Sequence, residues 1–224
     1  MTALVVGLAL TGGIVLAFLF GRASEYQKHL GAIARERTVR VADALAGTIV
    51  RIVGTLRPGA QTLRAPVSGR VCAHFDLQVW ESAGEDGWKL VLREVSTTDF
   101  SVEDASGRAM VETSRFGAAV VLDAHWTSGT FNDATPALRQ LLSRHGQKTT
   151  AFLGLNRSLR YREGALEPGE RIAVVGRARW EDDPDAGAAR PERGGYRSTG
   201  RKQRLVLEAH AEAVTASDDP QALR

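Results

Sequence analysis

A cysteine and a histidine two residues apart are the first residues that could do chemistry. Cys72 and His74 lie within residues 71–80, where apolar and polar residues alternate as in a half-buried strand. Both side chains would share one strand face, and a Cys–His pair can form a thiolate nucleophile. Same-face neighbours on one strand diverge, however, and a free cysteine is more often a buried apolar residue. We expect a packing role for Cys72, with catalysis by Cys72 and a histidine as an alternative.

A metal site would need ligands from several separate segments. The residues that could contribute are His74, Asp76, Asp123, His125 and His210. None of them has the local spacing of a metal motif, and such residues on strands more often line a solvated face. The single cysteine excludes an internal disulfide and a zinc site built from several cysteines. We therefore predict no catalytic residue, no cofactor and no metal ligand.

Arginine-rich segments are a third candidate. Only four of the 29 basic residues are lysines, which we attribute to the codon bias of a GC-rich genome. Aromatic residues are interleaved among the arginines, as in a platform that stacks nucleic-acid bases. The residues concerned are Arg157, Arg160, Arg162, the cluster from Arg177 to Arg204, Tyr161, Trp180 and Tyr196. Acidic residues dilute this charge, so solvated loops are favoured over nucleic-acid binding, and anionic lipid is a comparable partner.

The N-terminal segment carries the clearest signal in the chain. Residues 3–20 are apolar and uncharged, and a helix of that length spans about 27 Å, close to the ~30 Å hydrocarbon core of a bilayer. No side-chain charge precedes this run, whereas a cleaved signal peptide has basic residues before a shorter apolar core. We therefore predict an uncleaved transmembrane anchor at residues 1–21.

The charges that follow the anchor predict its orientation. Basic residues outnumber acidic ones there, namely Arg22, Lys28, Arg35, Arg37 and Arg40 against Glu25 and Glu36. The positive-inside rule then places the N-terminus outside and the domain in the cytoplasm of a single-pass inner-membrane protein. The bilayer is thus a predicted partner. Ala9, Gly13 and Ala17 form a small-residue stripe that would allow self-association of the spanning helix.

The rest of the sequence divides into three parts. Residues 22–46 predict a juxtamembrane helix or stalk, residues 47–214 a β-rich domain, and residues 215–224 a disordered polar tail. Besides residues 71–80, strands are predicted at 48–56, 88–95, 100–103, 109–112, 118–126, 171–180 and 204–214.

One helix and several turns interrupt these strands. Thr135 can cap the helix, Pro136 suits its first position and Gly146 can end it, with an apolar stripe at Leu138, Leu141 and Leu142. Residues 104–108 predict a tight hairpin, residues 166–170 a type II turn, and residues 184–200 a mobile loop. The expected fold is mostly β with one inserted helix, a barrel or a sandwich, preceded by the transmembrane and juxtamembrane helices.

The order of several motifs resembles the GIDE domain, the membrane-adjacent module of mitochondrial E3 ubiquitin ligases and their prokaryotic relatives. The resembling pieces lie between Ile49 and Val214 and comprise Gly54 to Leu56, APVSGRVC (65–72), Trp80-Glu81, Trp88, DFSVEDASGRAMV (99–111) and LRYREGALEPGERIAVVG (159–176). The resemblance implies a β-rich domain held next to a membrane. It covers the ligases only outside their RING finger, whose two zinc ions need about eight Cys and His ligands.

The function expected from these features is that of a membrane-tethered interaction module without catalysis, a bacterial relative of the ligases that lacks the RING. A protein of this kind could be grouped with the E3 ubiquitin transferases by similarity, but it would lack the RING zinc ligands that ligase activity needs. The protein partner is unknown. Two alternatives remain open, namely a membrane-bound enzyme that uses Cys72 with a histidine, and an adaptor that binds anionic lipid or nucleic acid through the arginine-rich loops.

Overall fold

The computed structural model describes residues 25–129, 136–146, 158–184 and 203–224. These residues form a mostly β structure, which confirms that part of the expected fold, with two α-helices, α1 (residues 25–35) and α2 (Pro136–Arg144). The anchor predicted at residues 1–21 lies outside the described residues, and so does nearly all of the loop predicted at residues 184–200. No helix of the described part is long and apolar enough to cross a membrane.

The described residues contain thirteen strands in chain order. They are β1 (Ile49–Pro58), β2 (Leu63–Arg64), β3 (Val71–Cys72), β4 (His74–Ser82), β5 (Trp88–Thr97), β6 (Phe100–Asp104), β7 (Gly107–Val111), β8 (Phe116–Ala119), β9 (Ala124–Ser128), β10 (Leu159–Leu166), β11 (Arg171–Asp182), β12 (Gln203–Glu208) and β13 (Val214–Ser217).

Five of these strands close into a small barrel. β1 pairs with β6, β6 with β7, β7 with β12, β12 with β11, and β11 again with β1. Only the β7–β12 pair in this ring is parallel. Closure gives each of the five strands a partner on both sides, and β13 and β8 extend the sheet beyond β11. The interior is filled by alternate apolar side chains, among them Ile52, Phe100, Val102, Leu205 and Leu207.

A second unit is an antiparallel sheet in the order β5-β4-β10-β9. Its inner face packs against α2 because alternate residues of the strands are apolar and meet the leucine stripe of the helix. The residues in this core include Phe75, Leu77, Val79, Leu159, Tyr161, Leu138, Leu141 and Leu142. The helix begins at Pro136 as predicted, and Gly146 follows its end with a positive φ of +67°. The predicted cap Thr135 lies outside the described residues.

A short hairpin of β2 and β3 joins the two units. β3 ends at Cys72, and β4 begins at His74, so the single strand predicted over residues 71–80 is interrupted at Ala73. The backbone of Ala73 donates to Leu166 O and accepts from Thr98 N. Cys72 consequently packs in the core under α2, whereas Ala73 packs in the barrel core. The break reverses the face assignment on which the Cys–His pair was based.

The stalk predicted at residues 22–46 is only partly correct. α1 ends at residue 35, and residues 36–46 run over the barrel, where Val41 and Ala44 are buried. α1 itself packs on the barrel through Ile33, which has 0% exposure. A Cβ at Gly117 of β8 would lie 2.3 Å from the His29 ring, so any larger residue there would displace the His29 side chain where α1 crosses that strand.

The disordered tail predicted at residues 215–224 is wrong. Residues 214–217 form β13, every residue of which is buried, and Ala222 packs against α1. Tyr26 of α1 donates a hydrogen bond of 2.6 Å to Asp219, and Arg51 of β1 donates to the backbone oxygen of Arg224. The polar composition misled the prediction because these polar groups find partners in the domain.

Several strand boundaries also differ from the prediction. Residues 118–126 split into β8 and β9, which belong to different sheets, and residues 204–214 split at a turn between β12 and β13. β10 was not predicted as a strand. The hairpin at residues 104–108 is confirmed, with Asp104 accepting three hydrogen bonds from Ser106 and Gly107. The turn predicted at residues 166–170 lies at residues 167–170, after the end of β10, with Gly169 at φ +89°.

If α1 belongs to the folded unit, truncation of its buried side chain should destabilise the whole domain. Ile33→Ala should lower the free energy of unfolding by about 2–5 kcal/mol because it leaves a cavity between α1 and the barrel. Urea unfolding of the full chain in a neutral detergent, followed by tryptophan fluorescence, measures this. Leu45→Ala is the control, since Leu45 is 70% exposed. Equal midpoints for the two variants would show α1 to be a separate stalk.

Candidate functional site

The outer face of the four-stranded sheet is the surface that α2 leaves uncovered. The strand registers place Arg93, Gln78, Arg162 and His125 side by side across β5, β4, β10 and β9. The neighbouring row contains Trp80 and Arg160, and the row on the other side contains Asp76 and Val95. Because alternate residues of a strand share a face, this surface is polar and aromatic whereas the inner face is apolar.

A groove crosses one half of this outer face. It has a volume of about 730 Å³ and lies between the sheet, the N-terminal end of α1 and residues 116–122. Glu25, Tyr26 and His29 of α1 line the groove, together with Phe116 of β8. Its lining mixes charged, polar and apolar side chains, so the groove offers hydrogen-bonding groups beside apolar surface, as binding sites for small ligands and peptides do.

His74 lies on the floor of the groove and is 4% exposed. Its Nδ1 lies 2.7 Å from Thr97 Oγ1, and its ring meets Phe116 edge-to-face at 5.3 Å between centroids. Burial lowers the pKa of His74 to about 4, while Asp76 acts in the opposite direction. His74 is therefore neutral at physiological pH and offers the groove an imidazole without charge.

A carboxylate and an arginine form the charged centre of the groove. Arg93 donates two hydrogen bonds to Asp76, of 3.1 and 2.7 Å, and also lies 3.5 Å from Glu25 of α1. Gln78 donates to the same carboxylate at 3.4 Å. The hydrogen bonds to Asp76 and Glu25 raise the pKa of Arg93. These contacts leave Arg93 paired with two carboxylates and tie α1 to the sheet.

The other half of the outer face is open and carries Trp80, Trp88, Arg160 and Arg162, which we call the Trp–Arg patch. The guanidinium of Arg160 lies 3.7 Å from the centroid of the Trp88 ring, at cation–π distance. A shallow depression of about 270 Å³ lies among these four side chains. Trp80 and Arg162 also line the groove, so the two halves form one continuous surface.

Cys72 does not belong to this surface. It is buried at 0% exposure in the core under α2, and burial raises the pKa of its thiol to about 11. His74 lies on the opposite face of the sheet. The expectation that Cys72 and His74 share a face is therefore wrong, and the packing role expected for Cys72 agrees with its burial.

The candidate metal ligands are dispersed. Asp123 binds Arg70 through two hydrogen bonds of 2.9 Å, and His210 lies on the turn between β12 and β13. Only His74 and Asp76 line the groove together. Within the described residues, no group of three or more His, Cys, Asp and Glu side chains is arranged to hold a metal ion.

The predicted stacking aromatics lie elsewhere. Tyr161 is buried on the inner face with its hydroxyl 3.0 Å from Ser128, and Trp180 donates to Ala44 O at the barrel surface. Arg157, Tyr196 and the middle of the arginine cluster lie outside the described residues. Arg160 and Arg162 are instead joined by Trp80 and Trp88, which the sequence reasoning did not connect with them because β10 had not been recognised as a strand.

Comparison with protein-family models, curated proteins and solved structures finds no match to this chain.

The buried imidazole predicts a specific pH dependence of stability. The pKa of His74 is lowered from 6.5 to about 4 in the folded state. The stability it contributes is therefore present above pH 6.5 and is lost as the pH falls toward 4, by up to about 3 kcal/mol. The free energy of unfolding should therefore fall between pH 7 and pH 5 by more in the wild type than in His74→Gln, whose side chain can still bond Thr97. Unfolding curves at the two pH values measure this difference.

One other residue titrates in the same pH range, and a second histidine supplies the control. Burial raises the pKa of Asp218 to about 7, so acidification over the same range stabilises the fold through Asp218 and opposes the effect of His74. The comparison of wild type with His74→Gln cancels that contribution. The exposed His125 supplies the matched substitution, His125→Gln. The same pH dependence in all three proteins would contradict a buried neutral His74.

The position of Cys72 predicts an unreactive thiol. In the folded chain at pH 8, alkylation by iodoacetamide should be slower by a factor of about 100 or more than in urea, because a thiol with a pKa near 11 is almost wholly protonated. Mass spectrometry follows the single adduct. Rapid alkylation of the folded chain would contradict this burial and restore the enzyme alternative.

Proposed function

We propose that the chain is a membrane-tethered, non-catalytic interaction module of the GIDE type, which presents the groove to a protein partner at the membrane surface. The observation that carries this proposal is the position of α1. The helix follows the apolar run of residues 3–20 and packs on the domain, and its first described residues, Glu25 and Tyr26, line the groove.

The chain length between the apolar run and the groove limits their separation. Four residues separate Phe20 from Glu25, and the five Cα–Cα steps between these two residues reach at most about 17 Å. An anchored chain therefore holds the groove next to the lipid headgroups. A partner that is also held in the membrane, such as another membrane protein, meets the groove at a raised effective concentration because both are confined to the same surface.

The arrangement of the motifs that resemble the GIDE domain supports the family part of the proposal. Glu163 of the last motif accepts hydrogen bonds of 2.9 and 3.1 Å from the backbone of Val67 and Ser68 in the APVSGRVC motif. A Cβ at Gly54 would lie 2.4 Å from the backbone oxygen of Glu103, which belongs to the hairpin motif. These motifs therefore contact one another in the fold, and we attribute to them the role of holding such domains together.

The absence of catalysis in this proposal is supported by chemistry. Cys72 has a raised pKa and no exposure, and His74 is neutral and paired with Thr97. The sequence has a single cysteine, so it cannot supply the thiolates of a RING finger. What such a module would share with the eukaryotic ligases is its membrane-side domain and the interaction made there.

Photo-crosslinking in native membranes tests both the tether and the groove. A photoreactive amino acid replaces Val95, which lies in the groove and is 46% exposed. Membranes are irradiated and then washed with alkaline carbonate. We expect the full-length chain to stay in the pellet and to carry one protein adduct of defined mass.

The control is the same amino acid at Val71, a valine of similar exposure, 39%, on the hairpin between the two units. It should give no such adduct. Release of the chain by carbonate would refute the tether, and identical adducts at both positions would refute the groove as the docking surface.

A further inference from the structure

The Trp–Arg patch contains two cations that the groove does not neutralise. Within the described residues, neither Arg160 nor Arg162 has a carboxylate within salt-bridge distance, and both are exposed. Arg93, by contrast, lies on the same face and is held by Asp76 and Glu25. On this face the arginine of the groove is therefore paired with carboxylates, whereas, among the described residues, the two arginines of the Trp–Arg patch are not.

The two arginines are placed to act together. Arg160 and Arg162 are alternate residues of β10, so their side chains project from one face about 7 Å apart along the strand. Guanidinium groups at this spacing can bind the oxygens of one phosphate group with parallel hydrogen bonds. The Trp88 ring lies 3.7 Å from the carbon of the Arg160 guanidinium, and this cation–π contact helps to hold the guanidinium in place.

The two tryptophans indicate where this phosphate comes from. Trp80 and Trp88 are half-buried, with an apolar ring beside a polar surface. Such side chains favour the headgroup region of a bilayer, where arginine and lysine also pair with anionic lipid. Two unpaired cations match a single phosphate, whereas a nucleic-acid strand needs a track of cations along its backbone.

The position of the patch relative to α1 agrees with a membrane ligand. Arg93, which contacts Glu25, lies two strands from Arg162 in the same row. Strands lie about 4.8 Å apart, so the patch begins about 10 Å from the end of α1 that follows the apolar run. We propose that the Trp–Arg patch binds the phosphate group of anionic phospholipids. The headgroup source rests on the tether of the proposed function.

The experiment uses the full chain in a neutral detergent, with lipid added as short-chain phosphatidylglycerol. Native mass spectrometry counts the lipids bound and gives their affinity. We expect saturable binding of one phosphatidylglycerol and much weaker binding of short-chain phosphatidylcholine. In Arg160→Gln/Arg162→Gln, the affinity should fall roughly 25-fold, since each arginine near an anionic headgroup contributes about fivefold.

The matched control is Arg171→Gln/Arg177→Gln, which removes two exposed arginines from β11 of the barrel with the same loss of charge. It should bind like the wild type. Trp88→Phe, which keeps a ring under Arg160, should retain most of the affinity, whereas Trp88→Ala should lower it. Equal affinities for the two double-arginine variants would overturn the proposal.

Two further arms distinguish the source of the phosphate. Displacement of the lipid by an equal concentration of inorganic phosphate would assign the patch to a soluble phosphate ligand instead. Tighter binding of an oligothymidylate than of the lipid would assign it to single-stranded nucleic acid. The lipid is supplied in detergent, so this binding assay does not depend on the membrane tether. A wrong tether would appear as release of the chain by carbonate, whereas a wrong patch would appear as unchanged lipid binding in Arg160→Gln/Arg162→Gln.

Discussion

The contact on which the two units depend is a buried carboxylate that holds a loop. Glu163 has 0% exposure and accepts hydrogen bonds from the backbone of Val67 and Ser68, in the turn between β2 and β3. A buried carboxylate is tolerated only when its oxygens are bonded, and a buried backbone N–H likewise needs an acceptor. Arg70, from the same turn, binds Asp123 and Glu167. The turn is thereby fixed to β10, which sets where Cys72 ends one strand and His74 begins the next. The floor of the groove starts at that point.

This dependence explains which features could be predicted from the sequence. Local signals were sufficient for α2, with its proline start and glycine end, and for the hairpin in which Asp104 bonds Ser106 and Gly107. β10 escaped prediction because its inward positions include Glu163, and a charged residue breaks an apolar alternation. The partner of that charge is the backbone of a segment about 95 residues away in the sequence, and no periodicity reports such a contact. β13 was missed for a similar reason, since its neighbours β8 and β11 are distant in sequence.

The candidate site was predictable only as an inventory of residues. Alternation on β4 correctly put His74, Asp76 and Trp80 on one face, and the arginines of residues 157–162 were recognised as a basic cluster. Their assembly depends on register. Arg160 lies opposite Trp80 and Arg162 opposite Gln78 because β10 pairs with β4 without a shift. A one-residue slip would have turned both arginines into the core under α2, where they could not remain unpaired. The buried Tyr161 and Leu159 make that slip unfavourable, so the apolar inner face determines the chemistry of the outer one.

The division of charge across the outer face gives its two halves different tasks. In the groove, Arg93 is paired with Asp76 and Glu25, and His74 is neutral, so a ligand there meets charged groups that already have partners and an uncharged imidazole. Such a surface discriminates by shape and by matched polar groups, because leaving any of them unpaired on binding costs free energy. In the Trp–Arg patch the two arginines have no carboxylate partner among the described residues, so long-range attraction of an anionic ligand contributes more to binding than shape complementarity does. The ion pair between Glu25 and Arg93 ties α1 to the sheet and places a second carboxylate beside Arg93. A change in the angle of α1 would therefore alter the charge of the face as well as the width of the groove.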